Sequence, residues 1–225
     1  MVSMDLLAFG VFPYVIFAIV VIGSAYRYLT DRFSYSSLSS QFLENGRLFW
    51  GSVPWHYGIL LLLVGHLLGF LFPEVVEDIL GGTPTRLYTM ESIALALGFL
   101  ALFGLVALTW RRFTDPRIKA VTSPADVLLI LLLLLQVITG IYTALFYRWG
   151  IPWYVHTAVP YLWSLLALDP QVQYVASLPT VTKLHIFNAF ALVGVFPFTR
   201  LVHLVTFPLT YLWRPYQVVV WNRRK

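Results

Sequence analysis

The chemistry of this chain is concentrated in its histidines. Four of the five, His56, His66, His185 and His203, sit in two apolar stretches, VPWHYGILLLLVGHLLGFLF and KLHIFNAFALVGVFPFTRLVH. An imidazole in hydrocarbon is costly without a partner, so ionisable groups in such stretches mark functional sites. Neutral imidazole is an axial ligand for haem iron, and one haem can take a ligand from each of two helices. Four histidines on two helices therefore predict two b-type haems and a membrane electron-transfer protein. The residues alone leave a second reading open, one haem with two structural histidines.

The elements that must position these residues follow from composition. The chain has 225 residues, 59% hydrophobic and 11% charged, with a mean hydropathy of +0.78. A soluble domain carries roughly a quarter charged residues, so an integral membrane protein is expected. A bilayer core needs about 20 apolar residues in a helix. Five stretches qualify, near 6–25, 53–72, 92–110, 127–146 and 184–207. The predicted fold is all-α, a five-helix bundle forming one membrane domain over 1–225. Met1–Asp5 has no basic residue and no small-x-small site follows the apolar run before Arg27, so the first stretch is read as a retained helix and not a cleaved signal. With no cysteine, disulfides, iron–sulfur ligation and c-type haem attachment within this chain are excluded. The formal charge of +5 gathers in particular loops and carries no nucleic-acid signature. Hydrolytic triads and phosphate loops are not recognisable either.

Lys and Arg in short loops set orientation. Arg27, Arg32 and Arg47 follow helix 1; Arg111, Arg112, Arg117 and Lys119 follow helix 3; Arg200, Arg214, Arg223, Arg224 and Lys225 end the chain. All of these fall on one side of a five-helix protein, against Arg86, Arg148 and Lys183 on the other. The N-terminus is predicted outside and the C-terminus cytoplasmic, in a multi-pass protein of the cell membrane. Trp55, Trp110, Trp149, Trp153, Trp163 and Trp213 lie near helix ends or in loops, as interfacial anchors do. The segment from Tyr147 to Lys183, broken by Pro152, Pro160, Pro170 and Pro179, should form short helices on the outer membrane surface. The inner loop Thr30–Trp50 is either a docking surface for a cytoplasmic partner or a solvated connection.

Depth pairs the histidines. Helix 2 runs outward, placing His56 near the cytoplasmic face and His66 deeper; helix 5 runs back, placing His185 near the outer face and His203 near the inner. His56 and His203 would hold an inner haem iron, His66 and His185 an outer one. Eighteen residues separate His185 from His203, about 27 Å and one face of a regular helix, whereas ten residues on helix 2 span only about 15 Å. Tilt, oblique haem planes or a kink at Pro197 would have to absorb the mismatch. Gly58, Gly65 and Gly69 fall within an arc of about 40°. They serve either close helix contact or room for a flat macrocycle or quinone ring beside His66.

Other polar residues carry two readings each. Arg200, a turn before His203, could fork onto an inner haem propionate or snorkel to lipid phosphate. His156 is a surface histidine or a quinol proton acceptor. Glu91 and Asp126 are expected to cap helices 3 and 4, with proton uptake from quinol the second reading for Glu91. Arg111 and Arg112 read as topology determinants.

At these residues the chain resembles the gamma subunit of respiratory nitrate reductase, a dihaem cytochrome b membrane anchor. The likeness lies in H-Y-G-I-L-x4-G-H-x2-G at His56–Gly69, P-F-T-R-L-V-H at Pro197–His203, and the unequal histidine spacings. RYLTDRFSYSSLSSQFLE after helix 1 and RIKAVTSPADVLL leading into helix 4 extend it over nearly the whole length. The resemblance implies five helices and a complex with two cytoplasmic partners, an iron–sulfur beta subunit and a molybdenum-containing alpha subunit that reduces nitrate. It implies quinol oxidation near the outer haem on His66 and His185, and electron transfer from the inner haem on His56 and His203 to an iron–sulfur cluster. Quinol-site residues would be Gly65, His66 and Arg86, the last standing where the family has lysine. Lys183 replaces an arginine common two residues before the third histidine. Competing readings are a gamma-like cytochrome b subunit of a heterodisulfide- or sulfite-reductase-type complex, and a non-redox anchor or transporter.

Overall fold

The computed structural model describes residues 4–35, 40, 43–44, 46–76, 78–79, 84–147 and 154–206, with backbone alone at 85–87 and 206. Helix is the only regular structure among these residues. Five helical stretches are long and apolar enough to cross a membrane: Leu6–Ser34, Gly46–Leu71, Tyr88–Thr114, Pro124–Phe146 and Thr180–Phe198. They are built on helices α1 (Phe12–Asp31, continuing a π-helical turn Leu6–Val11), α2 (Gly46–Leu71), α3 (Pro84–Thr114), α4 (Pro124–Phe146) and α5 (Thr180–Val195). The chain is accordingly a membrane protein.

Local chemistry sets the ends. Pro13 and Pro124 occupy first turns, where a fixed φ and a missing N–H cost nothing. Ser123 caps α4 by accepting from the Asp126 N–H at 3.2 Å, while Asp126 accepts from the Ser123 N–H at 3.0 Å. This capping box satisfies two orphan donors at once, as expected for Asp126. Glu91 differs from expectation. Helix α3 begins at Pro84, so Glu91 lies about two turns inside it and cannot cap its start. Helix α2 also begins earlier than predicted, at Gly46, because the more polar Gly46–Ser52 turns continue the helix beyond the apolar stretch.

The helices pack in a chain of neighbours: α2 on α3, α3 on α4, α4 on α5 and α5 on α1. Glycine permits the closest of these approaches. A Cβ on Gly104 would stand 2.3 Å from the Trp55 backbone nitrogen, and one on Gly58 2.7 Å from the Ala101 nitrogen. Small residues allowing such backbone contact are the usual adhesive between membrane helices. Helices α2 and α5, which carry His56, His66 and His185, are not among the extensively packed pairs of described residues.

At one end of the bundle, residues 154–179 form a cap of short helices, including Val159–Leu166 and Gln173–Ala176. Its Tyr161, Leu165, Val175 and Leu178 form a buried cluster with Phe9 from the start of the first span. Tyr161 donates to the Phe9 carbonyl at 2.8 Å and Tyr14 to that of Leu165 at 3.0 Å, tying the cap to the start of α1. Trp149, Trp153 and Trp213 lie outside the described residues.

The fifth stretch is not one helix. After Val195 come a 3-10 turn Phe196–Phe198, an extended Thr199, a second 3-10 turn Arg200–Val202, and the helical turn His203–Thr206. Pro197 removes a backbone donor, and the Thr199 hydroxyl accepts from the Leu201 N–H at 3.4 Å, restarting the chain as a cap would. Arg27 of α1 donates to the freed Pro197 carbonyl at 2.5 Å. The 27 Å span expected for a regular helix between His185 and His203 therefore does not apply, nor does their placement on one face.

Candidate functional site

His56 and His203 meet at the basic end of the bundle. Their ring centres are 6.1 Å apart, with planes at 73°. Two imidazoles brought together from separate segments are a donor set that would suit one haem iron. The break at Pro197–Thr199 brings His203 here, since it abandons the straight-helix path.

Hydrogen bonds fix the protonation of these rings. His56 Nδ1 lies 2.7 Å from the Ser52 carbonyl, and His203 Nδ1 2.6 Å from that of Arg200. A carbonyl only accepts, so Nδ1 carries the proton and donates, leaving the other ring nitrogen with its lone pair. That is the tautomer a metal-ligating histidine adopts. His66 repeats the arrangement, with Nδ1 2.7 Å from the Leu62 carbonyl.

His185 is held differently. Its Nδ1 faces the Gln136 carbonyl and the Thr139 hydroxyl, both at 3.1 Å and both on α4. Its Nε2 accepts from the Gln136 side-chain amide at 3.2 Å, and the Asn188 amide in turn donates to Gln136 Oε1 at 2.7 Å. A Cβ on Gly140 would stand 2.9 Å from His185 Cε1, so that glycine makes room for the ring. The donor set at His185 thus has the right tautomer, and the amide contact at Nε2 must open for a metal to bind there. That amide hangs on a soft terminal torsion.

Around His66 the glycine stripe divides. Gly58 serves helix contact. A Cβ on Gly65 would meet no described atom within 4 Å, while one on Gly69 would stand 2.9 Å from Tyr154 Cε1. Tyr154, from the cap, donates to the His66 carbonyl at 2.9 Å and sets its ring edge-on to the imidazole at 5.6 Å. Burial pushes the Tyr154 phenol up to about 12, so it stays protonated at neutral pH. Trp163 stacks on Phe70 at 5.0 Å and fastens the cap to the end of α2.

At the basic end, Asp126 binds two cations. Arg200 forks onto it at 2.5 and 3.0 Å, and Arg112 reaches it at 3.2 Å. Arg200 was expected on a propionate or a lipid phosphate, and this carboxylate partner was not foreseen. Arg111, expected only to fix topology, is 3% exposed and binds Glu44 at 2.6 Å. It also donates to the Ser40 hydroxyl at 3.0 Å. The Arg47 N–H and the Arg111 guanidinium hold the Glu44 carboxyl below the usual carboxylate range. His156 is exposed on the cap. Lys183 pairs with both Asp5 oxygens at 3.0 Å. Arg86 lies in the first turn of α3, and its side chain falls outside the described residues.

Gln136, Thr139, Asn188, Gly140 and Tyr154 were missed as site residues. A signal existed for two of them: Gln136 and Asn188 are lone amides inside apolar runs, and the cost of burying polarity in hydrocarbon points to them as it does to the histidines.

Comparison with known proteins adds a family. A family model described as nitrate reductase gamma subunit matches residues 5–222. The nitrate reductase gamma chain of Bacillus subtilis (strain 168) is 36% identical over 218 residues, covering 96% of both chains. The respiratory nitrate reductase 1 gamma chain of Escherichia coli (strain K12) is 30% identical over 224 residues, covering 96% of this chain and 97% of that one. The nitrate reductase-like protein NarX of Mycobacterium tuberculosis is 32% identical over 211 residues, which are 92% of this chain and 32% of that longer protein.

Proposed function

The chain belongs to the nitrate reductase gamma subunit family, and from that premise we propose that it is the quinol-oxidising, dihaem cytochrome b subunit of a respiratory nitrate reductase in the cell membrane. One observation carries the reading. Four imidazoles, on α2, on α5 and on the turn at His203, each keep Nδ1 against an acceptor, which leaves Nε2 as the nitrogen that would bind a metal, once the Gln136 amide opens in the case of His185. His56 and His203 would hold the inner haem, and His66 and His185 the outer. When bound, the two b haems supply one-electron carriers between quinol and an iron–sulfur cluster.

The remaining roles belong to this chain's own residues. The basic end, with Arg32, Arg117 and Lys119, would face the cytoplasm and receive the iron–sulfur beta and molybdenum-containing alpha subunits, while the capped end faces outward. Arg200 and Arg112 share one carboxylate, which leaves an excess positive charge suited to a propionate near His203. The open space at Gly65 would admit a flat headgroup beside His66, with Arg86 the candidate cation for its oxygen.

Pyridine haemochrome analysis of the purified complex tests the reading. Two b haems per chain are expected. His66→Ala or His185→Ala should leave only the inner haem, and His56→Ala or His203→Ala only the outer, distinguished by redox titration. One haem or none in the parent protein sinks the proposal. Loss of the same haem in His66→Ala and His203→Ala would break the pairing.

A further inference from the structure

Three of the four membrane histidines lean on their own chain segment. His56, His66 and His203 direct Nδ1 to carbonyls three or four residues earlier, at Ser52, Leu62 and Arg200. His185 instead reaches across to α4, a helix that carries no histidine. Two acceptors share its Nδ1 proton, the Gln136 carbonyl and the Thr139 hydroxyl, each at 3.1 Å.

The Thr139 hydroxyl is oriented for this contact. Its own proton goes to the Leu135 carbonyl at 2.6 Å, so the oxygen presents a lone pair to the imidazole N–H. Thr139 is 5% exposed, and in a low-dielectric interior such a bond is not diluted by water. An acceptor on the outward N–H of an axial imidazole raises the basicity of the ring. A more electron-rich axial ligand favours oxidised iron, and axial basicity and the hydrogen bonds behind it are among the protein's means of setting a haem potential.

We propose that Thr139 is a positioning residue that lowers the redox potential of the outer haem through His185 and leaves the inner haem unaffected. The proposal rests on the two-haem reading above. It makes α4 the element by which the two potentials are set apart, since His56 and His203 receive their Nδ1 acceptors from α2 and from Arg200.

The test is a potentiometric titration of both haems in the intact complex, followed optically and by electron paramagnetic resonance. Thr139→Val keeps the shape and removes the hydroxyl, while the Gln136 carbonyl still holds the tautomer. The outer haem midpoint should shift upward and the inner midpoint stay put. Thr139→Ser, which keeps the oxygen, should titrate like the parent. Thr143→Val is the control, because that hydroxyl meets Thr182 at 3.4 Å and not His185; it should move neither midpoint. Loss of the outer haem in Thr139→Val with retention in Thr139→Ser also supports the assignment. Unchanged midpoints in Thr139→Val, an inner-haem shift, an equal shift in Thr143→Val, or haem loss in both Thr139 variants would overturn it. A parent protein without two haems would instead strike the underlying reading.

Discussion

A proton on Nδ1 of each membrane histidine is dictated by a carbonyl within reach, and three of those carbonyls come with the helix itself. Any helical histidine with a suitable side-chain torsion can make this bond, so the tautomer was implicit in placing His56 and His66 on a helix. The partners of His185 were not, because Gln136 and Thr139 lie 49 and 46 residues away and sequence spacing says nothing about distant neighbours. Residue Glu44 makes the same point at the basic end. Its carboxyl is lowered by the Arg47 N–H and by Arg111, so the contact stabilises the fold above the ordinary carboxylate value of about 4.3. That contribution is lost as pH falls through the lower folded value. Thermal melting between pH 6 and pH 3 should therefore show a fall in Tm that is smaller in Glu44→Gln than in the parent. Equal pH slopes in the two proteins would mean the contact contributes nothing.

At the scale of elements, all five spans were legible because hydrocarbon thickness imposes a length that a hydropathy pattern displays directly. Their ends were less so. Polar turns can extend a helix past the bilayer core, as at Gly46 and Pro84, and Glu91 lost its expected capping place for that reason. Pro197 signalled a disturbance in the fifth span, but the restart at Thr199 depends on a hydroxyl cap and on Arg27, a residue of another helix. The α2–α3 contact gives a sharp expectation. Gly104→Ala sets a Cβ against backbone, which cannot move aside as a side chain can, and should cost about 1–3 kcal/mol in the manner of an overpacked core. Gly65→Ala should change stability by less than about 0.5 kcal/mol, since a Cβ there meets no described atom within 4 Å. Denaturation of the two variants in the same detergent would check this, and similar losses would refute the division of the glycine stripe.

For the whole molecule, the proposed orientation has an electrical consequence. Quinol oxidised at the capped end releases protons outside, while electrons pass to the basic end. Electron movement inward opposes a negative-inside potential by about 2.3 kcal/mol per 100 mV for a full crossing, and the redox drop must cover it. Proteoliposomes holding the complex should become negative inside and acidify the outer medium during quinol oxidation. Protons appearing inside with no potential would place the quinol site at the opposite end. The tie from Arg27 to the Pro197 carbonyl acquires a direction once the order of synthesis is considered. The ribosome delivers α1 first and the interrupted fifth span last, so the guanidinium is already in the bilayer when the orphaned carbonyl arrives. A nascent chain halted before Pro197 would hold that cation on Ser34 and Tyr35 alone, the contacts it makes within its own segment.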